Sequence, residues 1–266
     1  MLDRIRSGLK NAREKQPVKC PSSKNTHNFE YIGNDGPVCP HCNSELEKMP
    51  GRKKKCPFCS NFIYVRTRPI DEKKVLVTEE QKEKIDEQWS IVNGTHKEFI
   101  ARKKEYEKTK NELKRQHGKE PSDNEVQWAI LEKKQYEYAK CNHWGLYRNT
   151  IFDMAEILRK ESKLEMALVR YIEVCYLDLN GPRNISNADE EFLRAFPPFD
   201  PNESWAELAP AIVDRIWRIC KKLDINKDAL KIMFLGHNHI VETNLKLPLS
   251  ADTAWAEMEK ELSNQL

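Results

Sequence analysis

Four cysteines in two similarly built pairs carry the clearest chemistry in this chain. Cys39-Pro40-His41-Cys42 is followed, after thirteen residues, by Cys56-Pro57-Phe58-Cys59. A C-x2-C pair on a tight turn offers two thiolates at chelating separation. Two such pairs complete the tetrahedral four-sulfur set that a structural Zn2+ takes, with no position left open for catalysis. The proline after each first cysteine presets φ for the turn. Asn43 suits the left-handed residue that follows such a turn, and Ser60-Asn61 repeat that signal more weakly. A redox dithiol needs one pair beside a βαβ pattern, and the sequence shows none. Disulfides need an oxidising compartment, whereas residues 1–15 are mixed and basic, without the apolar stretch of a secretory signal. Cys20 and His27 are two further ligand types, but no partner pair completes a second site around them.

Basic residues crowd the second cysteine pair. Lys48, Arg52, Lys53, Lys54, Lys55, Arg66 and Arg68 flank it, with Phe62 and Tyr64 between. Cations for phosphates and aromatic rings for bases are the composition of a DNA or RNA contact, which makes Arg52, Lys53, Lys54, Lys55, Arg66 and Arg68 the candidate contact residues. The competing reading is charge balance, because a divalent ion with four thiolates carries a net negative charge that nearby cations offset.

With the two C-P-x-C pairs, residues 38–68 resemble a zinc ribbon, though the spacer is slightly shorter than the commonest one. The run Cys56 to Gln81, with Val65-Arg66-Thr67-Arg68-Pro69, is also similar to stretches in bacterial and phage-encoded zinc-ribbon proteins of uncharacterised function. The resemblance implies a small β module and no mechanism.

Within that module, Ser44–Met49 and Arg52–Lys55 read as two arms of a hairpin turning at Pro50-Gly51. Phe62-Ile63-Tyr64-Val65 reads as the last strand. Its few apolar residues cannot offset the entropy of ordering it, so metal binding must supply most of its folding free energy. Ahead of it, Met1 to Lys19 reads as a short amphipathic helix through Leu2, Ile5 and Leu9, and residues 20–37 as loop or short strands leading into the ribbon. Pro69 to Val77 reads as a linker.

Beyond the linker the periodicity is helical. Thr78-Glu79-Glu80-Gln81 is a capping box. Ile85, Val92, Phe99, Tyr106 and Leu113 recur every seven residues, whereas Trp89, His96, Lys103 and Lys110 leave the other side of the seam polar after Trp89. Unbroken to His117, this helix would span about 58 Å, with Asn93-Gly94 as the point of bending or breakage. A second capping box at Ser122-Asp123-Asn124-Glu125 opens the return helix. Further helices follow from Trp144, from a capping box at Ser162-Lys163-Leu164-Glu165, from Ser204, from Asn226 and from Ser250, about seven in all. Residues 148–182 resemble a single tetratricopeptide-type repeat through Ala155, Ala167 and Tyr171, although one repeat is fewer than such folds need. An ordinary αα-hairpin fits equally well. Cys141, Cys175 and Cys220 read as small buried hydrophobes. His237-Asn238-His239 reads as a polar helix terminus.

The expected fold is mainly α: an N-terminal segment (1–37), a small β zinc ribbon (38–69), a long helical hairpin (78–141) and a tetratricopeptide-like helical domain (143–266). Residues 1–68 hold fourteen basic and six acidic side chains, so the helical remainder is net acidic although the chain totals +3. No apolar run approaches the ~18 residues of a membrane span, and cytoplasm is the expected location. There is no phosphate-binding glycine loop, nucleophile elbow or H-E-x-x-H. The expected function is therefore a non-catalytic adaptor, with the ribbon on nucleic acid or protein and the helices on a protein partner. The alternatives are a protein-binding scaffold stapled by zinc, and an enzyme with an unrecognised site in the helices.

Overall fold

The computed structural model describes residues 29–186 and 189–263. The segment Met1–Lys19, Cys20 and His27 lie outside the described residues. The chain divides into two compact units, Met1–Ala101 and Arg102–Leu266. Among the described residues there are three short strands and nine helices, and no helix is long and apolar enough to cross a membrane.

The first unit is a three-stranded antiparallel sheet with a helix on one face. The strands β1 (Lys54–Lys55), β2 (Phe62–Thr67) and β3 (Lys74–Val77) lie in that order, and α1 (Glu79–Val92) packs on β2 and β3. Tyr64 pairs with Val77 and Thr67 with Lys74, so the pleat sorts the side chains by parity. Tyr64, Val75 and Val77 join Ile32, Ile85 and Trp89 on the α1 side. Ile63, Val65 and Leu76 join Leu46, Met49, Cys39, Cys56 and Cys59 on the other.

β3 lies inside the stretch expected to be a linker, so the Phe62 strand is the middle of the sheet and not its end. The apolar triplet Val75-Leu76-Val77 is too short to show a strand period alone, and it becomes a strand because β2 supplies a paired edge. The hairpin expected over Ser44–Met49 and Arg52–Lys55 is also replaced. The first arm forms only the Val38–Glu45 bridge, and Lys54-Lys55 pair with Ile63 and Phe62.

The polar ties to α1 are specific. The Tyr64 hydroxyl donates to Glu79 (2.8 Å), Arg66 Nε donates to Asp86 (3.0 Å) and Trp89 Nε1 donates to the Thr67 carbonyl (2.7 Å). Thr78 and Gln81 form the expected capping box. α1 stops at Asn93, where Gly94 takes φ +71° and the Thr95 amide reaches back to the Ser90 carbonyl (2.8 Å), a Schellman closure. The expected long helix is thus two, with α2 (His96–His117) restarting after the break.

The second unit is built around α5 (Leu164–Leu179), of whose sixteen residues ten are buried. α4 (Trp144–Lys160) is its antiparallel neighbour, with α3 (Asp123–Lys140) against α4. α7 (Pro210–Leu223), α8 (Lys227–Leu245) and α9 (Ala251–Ser263) pack on α5. A short α6 (Glu190–Ala195) lies between α5 and α7 in the chain. Lys133–Glu112 (2.9 Å) and Lys134–Glu105 (3.0 Å) are ion pairs between α2 and α3.

Several expected ends move. Ser162 does not cap α5: it takes φ +61° while closing α4, and Lys163 occupies the N-cap without a side-chain bond. α7 begins at Pro210 and not at Ser204, because a proline suits the first helical position and disfavours helical geometry in the residue before it. Cys141 is exposed at the end of α3, whereas Cys175 and Cys220 are buried as expected. His237-Asn238-His239 lies within α8: Asn238 is fully buried and His237 Nε2 is 3.0 Å from the buried Glu173 carboxylate.

Gly33 gives a test of how the start of the described chain docks. Asn34 exchanges backbone hydrogen bonds with Leu76 (3.0 and 2.8 Å), extending the sheet beyond β3. Gly33 has φ +84°, and a Cβ there would lie 2.5 Å from Val77 Cγ1. Gly33→Ala is expected to cost roughly 2–4 kcal/mol from left-handed strain and overpacking. A urea unfolding midpoint equal to that of the wild type would show that residues 32–34 do not pack against β3.

Candidate metal centre

The two cysteine pairs fold into near-identical turns. In the first, the Asn43 amide donates to the Cys39 carbonyl (3.0 Å) and the Cys39 amide to the Ser44 carbonyl (2.9 Å). In the second, the Ser60 amide donates to the Cys56 carbonyl (3.0 Å) and the Cys56 amide to the Asn61 carbonyl (2.9 Å). Asn43 (φ +58°) and Ser60 (φ +60°) are the left-handed residues. In each turn the amide two residues on points at the first sulfur: His41 at Cys39 Sγ and Phe58 at Cys56 Sγ, both 3.4 Å. An N–H aimed at sulfur favours the thiolate over the thiol.

Together the turns bring Cys39, Cys42, Cys56 and Cys59 to within 4.8 Å of one another. Cys39–Cys59 and Cys42–Cys56 are each 3.8 Å apart, Sγ to Sγ. Metal–sulfur bonds of about 2.3 Å in a tetrahedron put the sulfurs about 3.8 Å apart, so this set suits one tetrahedral ion and is far too open for a disulfide. The geometry is compatible with a zinc ribbon.

The cluster is asymmetric in exposure and acidity. Burial pushes the Cys39 thiol up to about 12, whereas Cys42, exposed and 3.3 Å from the Ser44 hydroxyl, is drawn down to about 6 by that group. At Cys56 burial opposes ionisation, but the amides of Cys59 and Phe58 help bring the thiol below its usual value. Without a cation, at least one thiol therefore resists ionising. With one, the ion's charge stabilises all four thiolates.

The expected basic face is divided by the sheet. Lys53 and Lys55 lie on the side of Phe62 and Tyr64: Lys53 Nζ is 4.2 Å from the Phe62 ring centroid and 4.6 Å from that of Tyr64, and Lys55 Nζ is 5.2 Å from Phe62. Lys54 is paired with Ile63, so it has the opposite parity. Among the described residues, no carboxylate forms an ion pair with Arg52, Lys53, Lys54 or Lys55, all four of which are exposed.

Arg66 and Arg68 do not belong to that exposed group. Arg66 is tied to Asp86 on α1. The Arg68 side chain is 6% exposed, grips both oxygens of Asp71 (3.1 and 2.7 Å) and lies 5.2 Å from the Tyr31 ring, so it holds the β2–β3 turn. Sequence reading missed these roles because the partner of Arg66 comes from packing of a distant helix. Asp71, only three residues from Arg68, was the available signal for the other. It also missed Lys82 of α1, whose Nζ stands 5.5 Å from the Tyr64 ring.

Compared with known protein families, curated proteins and solved structures, the chain matches none.

The geometry predicts about one tightly held metal ion per chain. Cys56→Ser is expected to reduce it to a small fraction by elemental analysis, and a chelator should abolish the cooperative unfolding of the first unit while sparing that of the second. Metal content unchanged by Cys56→Ser would refute the assignment.

Proposed function

We propose that Cys39, Cys42, Cys56 and Cys59 hold one structural zinc ion, and that the ribbon so formed is a non-catalytic nucleic-acid-binding module. Four thiolates leave zinc no open position, which suits a folding role. The observation that carries the binding role is the set of four exposed cations, Arg52, Lys53, Lys54 and Lys55, without carboxylate partners among the described residues, beside the exposed ring of Phe62. Charge balance explains Lys53 and Lys55 less well. Their ammonium groups stand over Phe62, on the opposite parity from Ile63, which packs on Cys39 and Cys56.

The helical unit, on the same proposal, contacts a protein partner. Phe192, Phe196 and Trp205 are about half exposed, and with Pro182 and Ile185 they line an open cavity of about 490 Å3. Exposed aromatics grouped this closely are typical of binding surfaces.

A fluorescence-anisotropy titration with labelled DNA at several salt concentrations tests the ribbon. Four phosphate contacts give a log–log salt slope of about −3 on single strands and about −4 on duplex. Replacing Lys53, Lys54 and Lys55 with Ala is expected to lower that slope by roughly 2 to 3 and leave zinc content unchanged. No binding by the wild type at low salt, with zinc lost from the triple variant, would instead make the lysines charge compensation.

A further inference from the structure

We infer that the ribbon takes single-stranded nucleic acid in preference to duplex, with Phe58 and Phe62 as the surfaces on which unpaired bases stack; this rests on the nucleic-acid reading above. Phe58 is 65% exposed and Phe62 45%, and neither belongs to the two apolar clusters of its unit. The fold therefore gains little from either ring, while each leaves apolar surface in water.

Both rings stand on fixed backbone. The Phe58 amide is bonded to Cys56 Sγ inside the second cysteine turn. Phe62 is the first residue of β2, paired with Lys55, and its carbonyl lies 3.0 Å from His41 Nε2 of the first turn. A ring whose main chain is already ordered loses little further entropy when a base stacks on it.

The cations beside Phe62 supply the other half of the contact. Lys53 and Lys55 bring two ammonium groups within 5.2 Å of its centroid, so a base at the ring has positive charge available for its own phosphates. In a duplex the base faces are covered by neighbouring pairs and only the edges are open in the grooves. A phenyl ring in the major groove meets little beyond a thymine methyl group. β1, with two residues, is also too short to lie along that groove as a β-ribbon. Exposed phenyl rings, that of Phe62 with two lysines beside it, thus suit splayed bases, which every sequence can offer.

The test uses the full chain loaded with zinc. Its probes are a labelled oligothymidine of about 15 nucleotides and the same strand annealed to oligoadenosine. Titrations run between about 50 and 200 mM salt. The single strand is expected to bind at least tenfold tighter than the duplex at the same salt. Phe58→Ala and Phe62→Ala should each weaken single-strand binding roughly five- to hundred-fold without changing the salt slope, since neither ring carries charge. Phe62→Leu, which keeps apolar bulk beside Lys53 but removes the aromatic face, should weaken it too, with zinc content reporting that the ribbon is intact. Equal or tighter duplex binding, or variants that bind the single strand as the wild type does, would overturn the inference and leave the nucleic-acid reading standing. Failure of both probes to bind at the lowest salt would overturn both.

Discussion

Between Cys56 and the first residue of β2 lie five residues, and the four-sulfur cluster anchors the near end of that stretch. The left-handed turn at Ser60 and the Cys56–Asn61 hydrogen bond leave no slack in it. The phase of the β2 pleat is therefore set by the cysteine turn. With that phase, Ile63 and Val65 close over the sulfurs, while Tyr64 and Arg66 face α1 and reach Glu79 and Asp86. A slip of one residue would exchange the two sets: the guanidinium would meet the sulfurs and the aliphatic side chains would meet the carboxylates. Among the described residues, each apolar cluster of the unit has five buried members. Ordering each residue costs about 1–2 kcal/mol, a cost that an ion held by the two cysteine turns would help to offset.

The helical unit rests on a different constraint. α5 is buried on nearly every side, so the polar residues it carries must be matched inside the unit. Asp178 is the clearest case. Burial pushes its carboxyl up, and Arg148 of α4 answers with two 2.6 Å hydrogen bonds. Glu173 is held between Arg170 and His237, and Tyr171 donates to Glu156, which also pairs with Arg159 and Arg215. Such pairs add little net stability over a well-packed apolar core, but breaking one leaves a buried charge, which fixes which faces of α4, α5, α7 and α8 can meet.

What could be read from the sequence was what short-range chemistry determines. The cysteine turns, with left-handed Asn43 and Ser60, follow from spacing and residue type alone, as do the capping boxes at Thr78 and Ser122 and the break near Gly94. Part of what escaped depended on partners elsewhere in the chain, and part on which of two local roles a residue takes. β3 is a strand because β2 and Asn34 border it. Ser162 looks like a cap for α5, but a tight reversal after α4 uses its left-handed geometry first. A residue with two possible local roles takes the one its neighbours leave open, and sequence pattern alone does not rank them.

The same distinction separates the cations of the first unit into two kinds. Arg66 and Arg68 share charge and closeness in sequence with the lysines. Their guanidinium groups, however, have planar forks that match carboxylates, and Asp86 and Asp71 take them. Among the described residues, the run Arg52 to Lys55 meets no such acceptor. Lysine is strongly hydrated on a flexible stem and contributes little to a fold from such a position. Three lysines in succession on one short edge raise local repulsion, which is tolerated in water and relieved by an anion. β1 is only two residues long and leads directly into the second cysteine turn, whose Cys56 amide is bonded to the Asn61 carbonyl. Among the described residues, Lys53 and Lys55 meet the rings of Phe62 and Tyr64 and no carboxylate.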